Sequence, residues 1–164
     1  LSLWKSFLFF DLYPAITSEN QQIMAVLFSI LLDYAVFAFI INFLREIIKD
    51  LEDINGDSNQ GMKTLPIIFG VKRTSKLVFA LSFIPIISLL IYIKNYFMAN
   101  NLQFAALYSI VFVLAPLIYF SIKSWESKNK KDFHKLSILL KWILLFGILS
   151  IVIITLNIKY NASK

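Results

Sequence analysis

Four apolar stretches, each long enough to cross a lipid bilayer, dominate this sequence. They cover about residues 23–44, 74–93, 102–122 and 136–158, and a shorter apolar run covers about residues 1–16. About 20 apolar residues in a helix cross a bilayer core of about 30 Å, and a helix satisfies its own backbone hydrogen bonds in lipid. The pattern predicts an all-α, polytopic transmembrane helical bundle that forms a single domain.

The composition supports this class and excludes others. Hydrophobic residues make up 59% of the chain and charged residues 16%, whereas soluble domains average about 25% charged residues. The chain has no cysteine and one histidine, His134, which excludes thiolate sites and His-rich metal clusters. We interpret His134 as a solvated residue of a basic loop.

The net charge of +6 is explained by topology, so no nucleic-acid partner is expected. Twelve basic residues lie in or beside the two loops that follow the spans at 23–44 and 102–122, and three lie on the opposite side. Because cytoplasmic loops carry an excess of Lys and Arg, both loops are predicted to be cytoplasmic. The cluster Lys128-Asn129-Lys130-Lys131 is interpreted as a topology signal that also contacts anionic membrane lipid.

The chain starts at Leu1, inside an apolar run that is too short to span a bilayer by itself. We expect the chain to be the C-terminal part of a longer protein, in which upstream residues complete the partial span at 1–16. 

An acidic cluster lies in the polar segment 45–66, directly after the span at 23–44. If the helix continues from Asn42 to Asp57, five polar residues fall within an arc of roughly 80° at 100° per residue. They are Asn42, Glu46, Asp50, Asp53 and Asp57, with Lys49 at the edge of the arc and Arg45 further round. If Gly56 ends the helix instead, Asp57 projects from the following turn.

This arrangement favours a magnesium–diphosphate site at the membrane surface. Mg²⁺ prefers oxygen ligands and typically binds one or two carboxylates together with substrate phosphates. We predict Asp50, Asp53 and Asp57 as the metal-binding and catalytic residues. Arg45, Lys49 and Lys63 would donate charge-assisted hydrogen bonds to phosphate oxygens, and Asn42 is a further candidate substrate-binding residue. Ionisation of an allylic diphosphate beside a hydrocarbon cavity is the reaction that fits these groups best.

Other interpretations of the cluster remain open on the sequence alone. A charged run after a membrane helix is often only a solvated face. A transport subunit would carry acids near mid-span, where only Asp33 lies, and a non-catalytic membrane module would use the charged segment to bind a partner. A calcium-binding EF-hand loop starting at Asp53 is excluded, because Ser58 and Thr64 occupy the positions that require Gly and Glu.

At these residues the chain resembles the UbiA family of intramembrane prenyltransferases. The second Asp-rich motif of that family reads D-x-x-D-x-x-x-D or D-x-x-x-D, followed by a Gly, a basic residue and Ser or Thr. This chain has Asp50, Asp53 and Asp57, then Gly61-Met62-Lys63-Thr64-Leu65-Pro66, ending with Phe69-Gly70. The flanking residues are most similar to the branch that contains geranylgeranylglyceryl-phosphate geranylgeranyltransferases.

The resemblance implies a fold of about nine spans, of which this chain is roughly the C-terminal half. It implies a Mg²⁺-dependent transfer of a prenyl group from a prenyl diphosphate to a lipophilic acceptor, such as an aromatic acid, a quinone precursor or a glycerol-phosphate lipid. The three aspartates match the family's metal-binding positions. Together with the composition, which is rich in Ile, Asn and Lys, it favours a multi-pass protein of a bacterial inner membrane.

One departure from the family is large. The first Asp-rich motif, N-D-x-x-D-x-x-x-D, is absent, because Asp11, Asp33 and Asp132 are isolated in the sequence. We therefore expect these 164 residues to be inactive by themselves.

Overall fold

The structure is a computed structural model that describes residues 18–98 and 102–162. The predicted partial span at 1–16 lies outside the described residues. The chain divides into two compact units, residues 1–37 and residues 38–164. The described part of the first unit is the beginning of a helix that continues into the second.

Every regular element in the described residues is a helix, as predicted. The α-helices are α1 (Ser18–Glu52), α2 (Ile54–Asn59), α3 (Leu65–Phe69), α4 (Val71–Tyr92), α5 (Gln103–Ser109), α6 (Ala115–Glu126) and α7 (Lys130–Ala162). Two stretches of π-helix continue these elements: Ile93–Met98 extends α4, and Ile110–Leu114 joins α5 to α6.

Four helical stretches in the described residues are long and apolar enough to cross a membrane, which confirms the four complete spans. They are Phe28–Glu52, Val71–Met98, Gln103–Glu126 and Lys130–Asn157. Only 11% to 44% of their apolar windows is buried within the chain. Large side chains such as Phe104, Leu107 and Ile148 are more than 60% exposed. Apolar patches of this extent mark surfaces that contact lipid or other protein segments.

The polar end of the first span is where the structure differs from the predicted helix. Helix α1 ends at Glu52, Asp53 forms a bend, and Gly56 lies inside the short helix α2. The uninterrupted helix from Asn42 to Asp57 and the break at Gly56 are therefore both wrong. Asp53 adopts φ −111° and ψ 25°, outside the α-helical region. Its N–H still donates to the Lys49 carbonyl (3.0 Å), and its carbonyl accepts from the Asp57 N–H (3.0 Å).

Two glycines shape the chain after the bend. Gly61 has φ +69°, and the Met62 N–H donates to the Asp57 carbonyl (2.9 Å) while the Gly61 N–H donates to the Ser58 carbonyl (3.1 Å). This is the Schellman pattern that ends a helix, and it favours glycine because of the left-handed backbone. Gly70, with φ +81°, separates α3 from α4. The Asp-rich segment is thus held by local backbone structure.

Small polar residues form the contact between α4 and α6. Thr74, Ser75 and Ser82 are buried on α4, and Ser121 and Ser124 are buried on α6. The Ser82 and Ser121 hydroxyl oxygens lie 2.8 Å apart, within hydrogen-bond distance. Small residues let membrane helices approach closely, since lipid provides no hydrophobic force between them.

The opposite end of the bundle is packed through α5 and α7. Ile93, Phe97, Leu102, Ala105 and Ala106 form a buried cluster that Ile154 of α7 contacts. The Tyr108 hydroxyl donates to the Phe146 carbonyl on α7 (3.2 Å). These contacts tie the hairpin between α4 and α5 to the last helix.

The contact between α4 and α6 leads to a stability prediction. Ser82→Leu is expected to lower the thermal stability of the full-length protein in detergent, because Ser82 is 0% exposed and a larger side chain would force the helices apart. Ser82→Ala should cost only about 0.6 kcal/mol, the usual value of a hydrogen bond between membrane helices. Ser88→Ala, on an exposed position of α4, is the control. Equal unfolding temperatures for Ser82→Leu and the control would contradict the close packing of α4 against α6 at Ser82.

Candidate functional site

An open cleft of about 370 Å³ lies where α1, α2 and α7 meet. Among the residues that the structure describes, its lining consists of charged side chains: Glu46, Lys49, Asp50, Glu52, Asp53, Asp57 and Lys130. A volume in this range is typical of ligand sites, but an apolar lining is more usual. Five carboxylates against two ammonium groups give the cleft a net negative charge, which favours a cation.

The three predicted aspartates enter the cleft from three local environments. Asp50 lies in the last turn of α1 and is partly buried, Asp53 forms the bend with 63% of its side chain exposed, and Asp57 lies in α2. The negatively charged side chains of Asp57 and Glu46 repel a negative charge on the Asp50 carboxyl. The bend therefore keeps the carboxylates on one side of the chain although the helix is interrupted.

Helix α7 contributes two cationic or hydrogen-bonding groups from about 80 residues further along the chain. The Lys130 ammonium lies 3.5 Å from Oδ1 of Asp53. Nδ1 of His134 lies 2.8 Å from Oε1 of Glu52, so a protonated Nδ1 donates to this carboxylate. Both contacts join the end of α1 to the start of α7. The segment that follows α1 and the loop that follows α6 therefore lie on the same side of the bundle.

Gly56 provides space for the Asp53 carboxylate. A Cβ atom at position 56 would lie 2.8 Å from Oδ2 and 2.9 Å from Oδ1 of Asp53. Real Cβ contacts are longer than this, so any other residue would displace the carboxylate. The Asp53 side chain makes no capping hydrogen bond to α2, and its position is therefore set by this space and by Lys130.

The structure brings together only part of the predicted set. Asp50, Asp53, Asp57 and Lys49 line the cleft, whereas Asn42, Arg45 and Lys63 do not. Arg45 is mostly buried, with 21% of its side chain exposed, and its Nη1 lies 3.4 Å from Oε1 of Glu46. Asn42 is exposed on α1, and Lys63 is exposed in the loop before α3. The roles predicted for these three residues stay predictions.

Sequence reasoning missed Glu52 and Lys130, which line the cleft, and His134, which contacts Glu52. Lys130 and His134 belong to the basic stretch that is interpreted from the sequence as a topology signal and a solvated loop. They lie on α7, at positions i and i+4, and so share one face of the helix. No sequence signal links them to residues 52 and 53, because the proximity arises from helix packing.

The donor set of the cleft fits a hard divalent cation that shares its ligands with a phosphate compound. No group of three or more Asp, Glu or His side chains in the described ranges is arranged to hold a metal ion alone. Mg²⁺ rarely uses an all-protein cage, since it keeps several waters and binds substrate phosphates. The carboxylates of Asp50, Asp53 and Asp57 line one cleft and are ligands of the type that this ion prefers.

The fold and the cleft define a multi-pass membrane protein with a carboxylate-rich site at the end of a span. A family profile described as "UbiA prenyltransferase family" matches residues 13–145. The chain therefore belongs to the UbiA prenyltransferase family, and the resemblance found in the sequence is confirmed. No solved structure matches the chain.

Curated relatives point to one branch of the family. The chain is 36% identical over 117 residues to a digeranylgeranylglyceryl phosphate synthase of Methanosphaera stadtmanae, covering 70% of this chain and 40% of the relative. Proteins of the same name from Thermococcus kodakarensis and Thermococcus onnurineus are 31% and 29% identical, over 74% and 87% of this chain. Those alignments cover 42% and 47% of the two relatives. The chain thus spans less than half the length of these relatives.

The space at Gly56 generates a prediction about metal binding. Gly56→Ala is expected to weaken binding of Mn²⁺, a paramagnetic substitute for Mg²⁺, by about tenfold or more, as changes beside metal ligands usually do. The added methyl group would displace the Asp53 carboxylate. The stability of α2 should not fall, because Ala has a higher helix propensity than Gly. Electron paramagnetic resonance on the full-length protein, in the presence of inorganic pyrophosphate, measures the affinity.

Asn55→Ala is the matched control for this variant, because Asn55 is exposed in the same helix. If both variants bound Mn²⁺ with the wild-type affinity, the claim that Gly56 provides space for the Asp53 carboxylate at a metal site would be wrong.

Proposed function

We propose that this chain is the part of a membrane prenyltransferase that holds the diphosphate of the prenyl donor. The reaction transfers a prenyl group from a prenyl diphosphate to a lipophilic acceptor. One observation carries the proposal: Asp50, Asp53 and Asp57 share one cleft at the polar end of a membrane span. Membership of the UbiA family supports the reaction class.

The aspartates act as metal ligands in this proposal. Asp50, Asp53 and Asp57 would hold Mg²⁺, which when bound supplies positive charge that stabilises the departing diphosphate. Lys49 lies in the same cleft and would donate to a phosphate oxygen. Arg45, Lys63 and Asn42 lie outside the cleft lining, so their proposed contacts require that the substrate extend beyond it.

The surrounding surface suits a donor with a charged head and a hydrocarbon tail. The cleft lining is charged throughout, whereas exposed Phe39 and Phe43 lie two to four turns earlier on the same helix. A diphosphate in the cleft would leave its prenyl chain beside such apolar side chains. The carbon–oxygen bond to the diphosphate breaks, a bond to the acceptor oxygen forms, and the acceptor proton leaves to solvent.

A glycerol-phosphate lipid is the acceptor that the comparisons favour. The matched relatives from three organisms carry the name digeranylgeranylglyceryl phosphate synthase. We infer that this chain serves the same kind of acceptor rather than an aromatic acid or a quinone precursor.

The first Asp-rich motif of the family would have to come from outside these 164 residues. The cleft contains carboxylates from one motif only, and the chain covers 40% to 47% of the relatives. We therefore propose that this chain alone is inactive and that the complete protein binds the diphosphate between two motifs.

The excess of basic residues in the loops after α1 and α6 supports a cytoplasmic position for the cleft. In the proposed orientation the protein lies in the cell membrane with the Asp-rich segment on the cytoplasmic side. A transport function is less well supported, because the acids of the cleft lie at the end of the span and not at its centre.

A second cleft of about 500 Å³ lies between the end of α6 and the start of α7. Its acids and bases are equal in number, and Lys123 already pairs with Glu126 at 2.7 Å. This balance makes it a poor site for a metal–diphosphate complex, and its residues serve as controls.

Removal of one carboxylate tests the proposed site. Asp53→Asn or Asp57→Asn in the full-length protein is expected to reduce prenyl transfer about 100-fold or more, the usual loss when an electrostatic stabiliser of a transition state is removed. Transfer of radiolabelled geranylgeranyl groups to geranylgeranylglyceryl phosphate in detergent measures the rate.

Glu126→Gln is the matched control, because it removes a carboxylate from the second cleft on the same side of the bundle. It should retain wild-type activity, since its surface ion pair is worth at most about 1 kcal/mol. Near wild-type turnover of both aspartate variants at saturating Mg²⁺ would show that the metal assignment is wrong.

A further inference from the structure

We propose that Lys130 is a diphosphate-binding residue that the last membrane helix supplies to the Asp-rich cleft. This inference rests on the proposed prenyl transfer and adds a residue to the binding site. Lys130 lies in a different helix from the Asp-rich motif, and it lines the same cleft as Asp50, Asp53 and Asp57.

The geometry of Lys130 carries the inference. Its ammonium lies 3.5 Å from Oδ1 of Asp53, and 69% of its side chain is exposed. An exposed ion pair of this kind contributes little to stability in general, so the pair explains little as a structural contact. The ammonium is instead available to a ligand that enters the cleft.

The charges of the cleft favour a ligand that brings its own divalent cation. Five carboxylates surround Lys49 and Lys130 in the cleft. Once a divalent cation occupies the carboxylates, their attraction for Lys130 falls, and the ammonium can pair with the next anion. A diphosphate on the same cation supplies oxygens for that pair, as a charge-assisted hydrogen bond.

Helix α7 is anchored so that Lys130 faces this cleft. One turn after Lys130, Nδ1 of His134 lies 2.8 Å from Oε1 of Glu52, the residue beside Asp53. Phe133 and Leu136 are 1% and 4% exposed and fix the start of α7 in the core. The position of Lys130 therefore follows from packing and from a second polar contact, in addition to its own pair.

The neighbouring lysines do not share this position. Lys131 is exposed and does not line the cleft, and Lys135 lines the second cleft. Lys131 is thus a matched control for Lys130: it carries the same charge, occupies the next position of the same helix turn, and lies outside the site.

The test measures diphosphate binding in the full-length protein. Lys130→Met is expected to raise the KM for geranylgeranyl diphosphate and the dissociation constant of inorganic pyrophosphate with Mg²⁺, measured by titration calorimetry, by about tenfold to 100-fold, as loss of a hydrogen bond to a charged group predicts. The KM for the acceptor lipid and the unfolding temperature should change little. Lys131→Met should match the wild type, and Lys130→Arg should largely retain pyrophosphate binding because the charge remains.

The outcomes separate this inference from the proposed function. If the wild-type protein transfers prenyl groups and Lys130→Met has wild-type constants for both diphosphates, Lys130 is not a diphosphate ligand although the function stands. Equal changes in the KM values of donor and acceptor, with no rescue by arginine, would show a structural role and also overturn the inference. A wild-type protein that neither transfers prenyl groups nor binds pyrophosphate would overturn the proposed function itself.

Discussion

The repulsion among carboxylates at the end of a membrane helix is the constraint on which the rest of this site depends. Glu46, Asp50, Asp53 and Asp57 would repel one another on a single exposed helix face. The structure reduces this cost in two ways: the chain bends at Asp53, and α7 brings Lys130 and His134 to Asp53 and Glu52. A divalent cation would reverse the sign of the remaining interaction. We propose that a ligand carrying a divalent cation completes the site.

The membrane helices make this arrangement possible because α5 and α6 pack against α7, whose start contacts the end of α1. In lipid the helices gain little from hydrophobic burial, so close contact depends on small residues and on hydrogen bonds between helices. The serines and threonine between α4 and α6, and the Tyr108 contact with α7, have this role. A change in this packing would move Lys130 away from the Asp-rich motif even though no residue of the cleft is altered.

The sequence predicted the spans well because each span is a long apolar run, and the structure extends most of them by a few polar residues. It also predicted that Asp50, Asp53 and Asp57 lie together, since their spacing follows the helical repeat. The helical repeat did not predict the bend at Asp53. The bend is a local change of one residue, since the backbone hydrogen bonds on both sides of it continue the helical pattern. A helix end at Gly56 was one of the two alternatives that the sequence left open, whereas in the structure Gly56 provides space for a carboxylate. Lys130 was missed because its contact depends on the tertiary packing of residues about 80 positions apart.

The central claim is that the cleft holds a diphosphate through a divalent cation. The most direct measurement is prenyl transfer by membranes that contain the full-length protein, before and after chelation with EDTA and after Mg²⁺ is restored. Our account predicts transfer from geranylgeranyl diphosphate to a glycerol-phosphate lipid that is lost on chelation and recovered with Mg²⁺. Transfer that persists at the same rate without a divalent cation would contradict it.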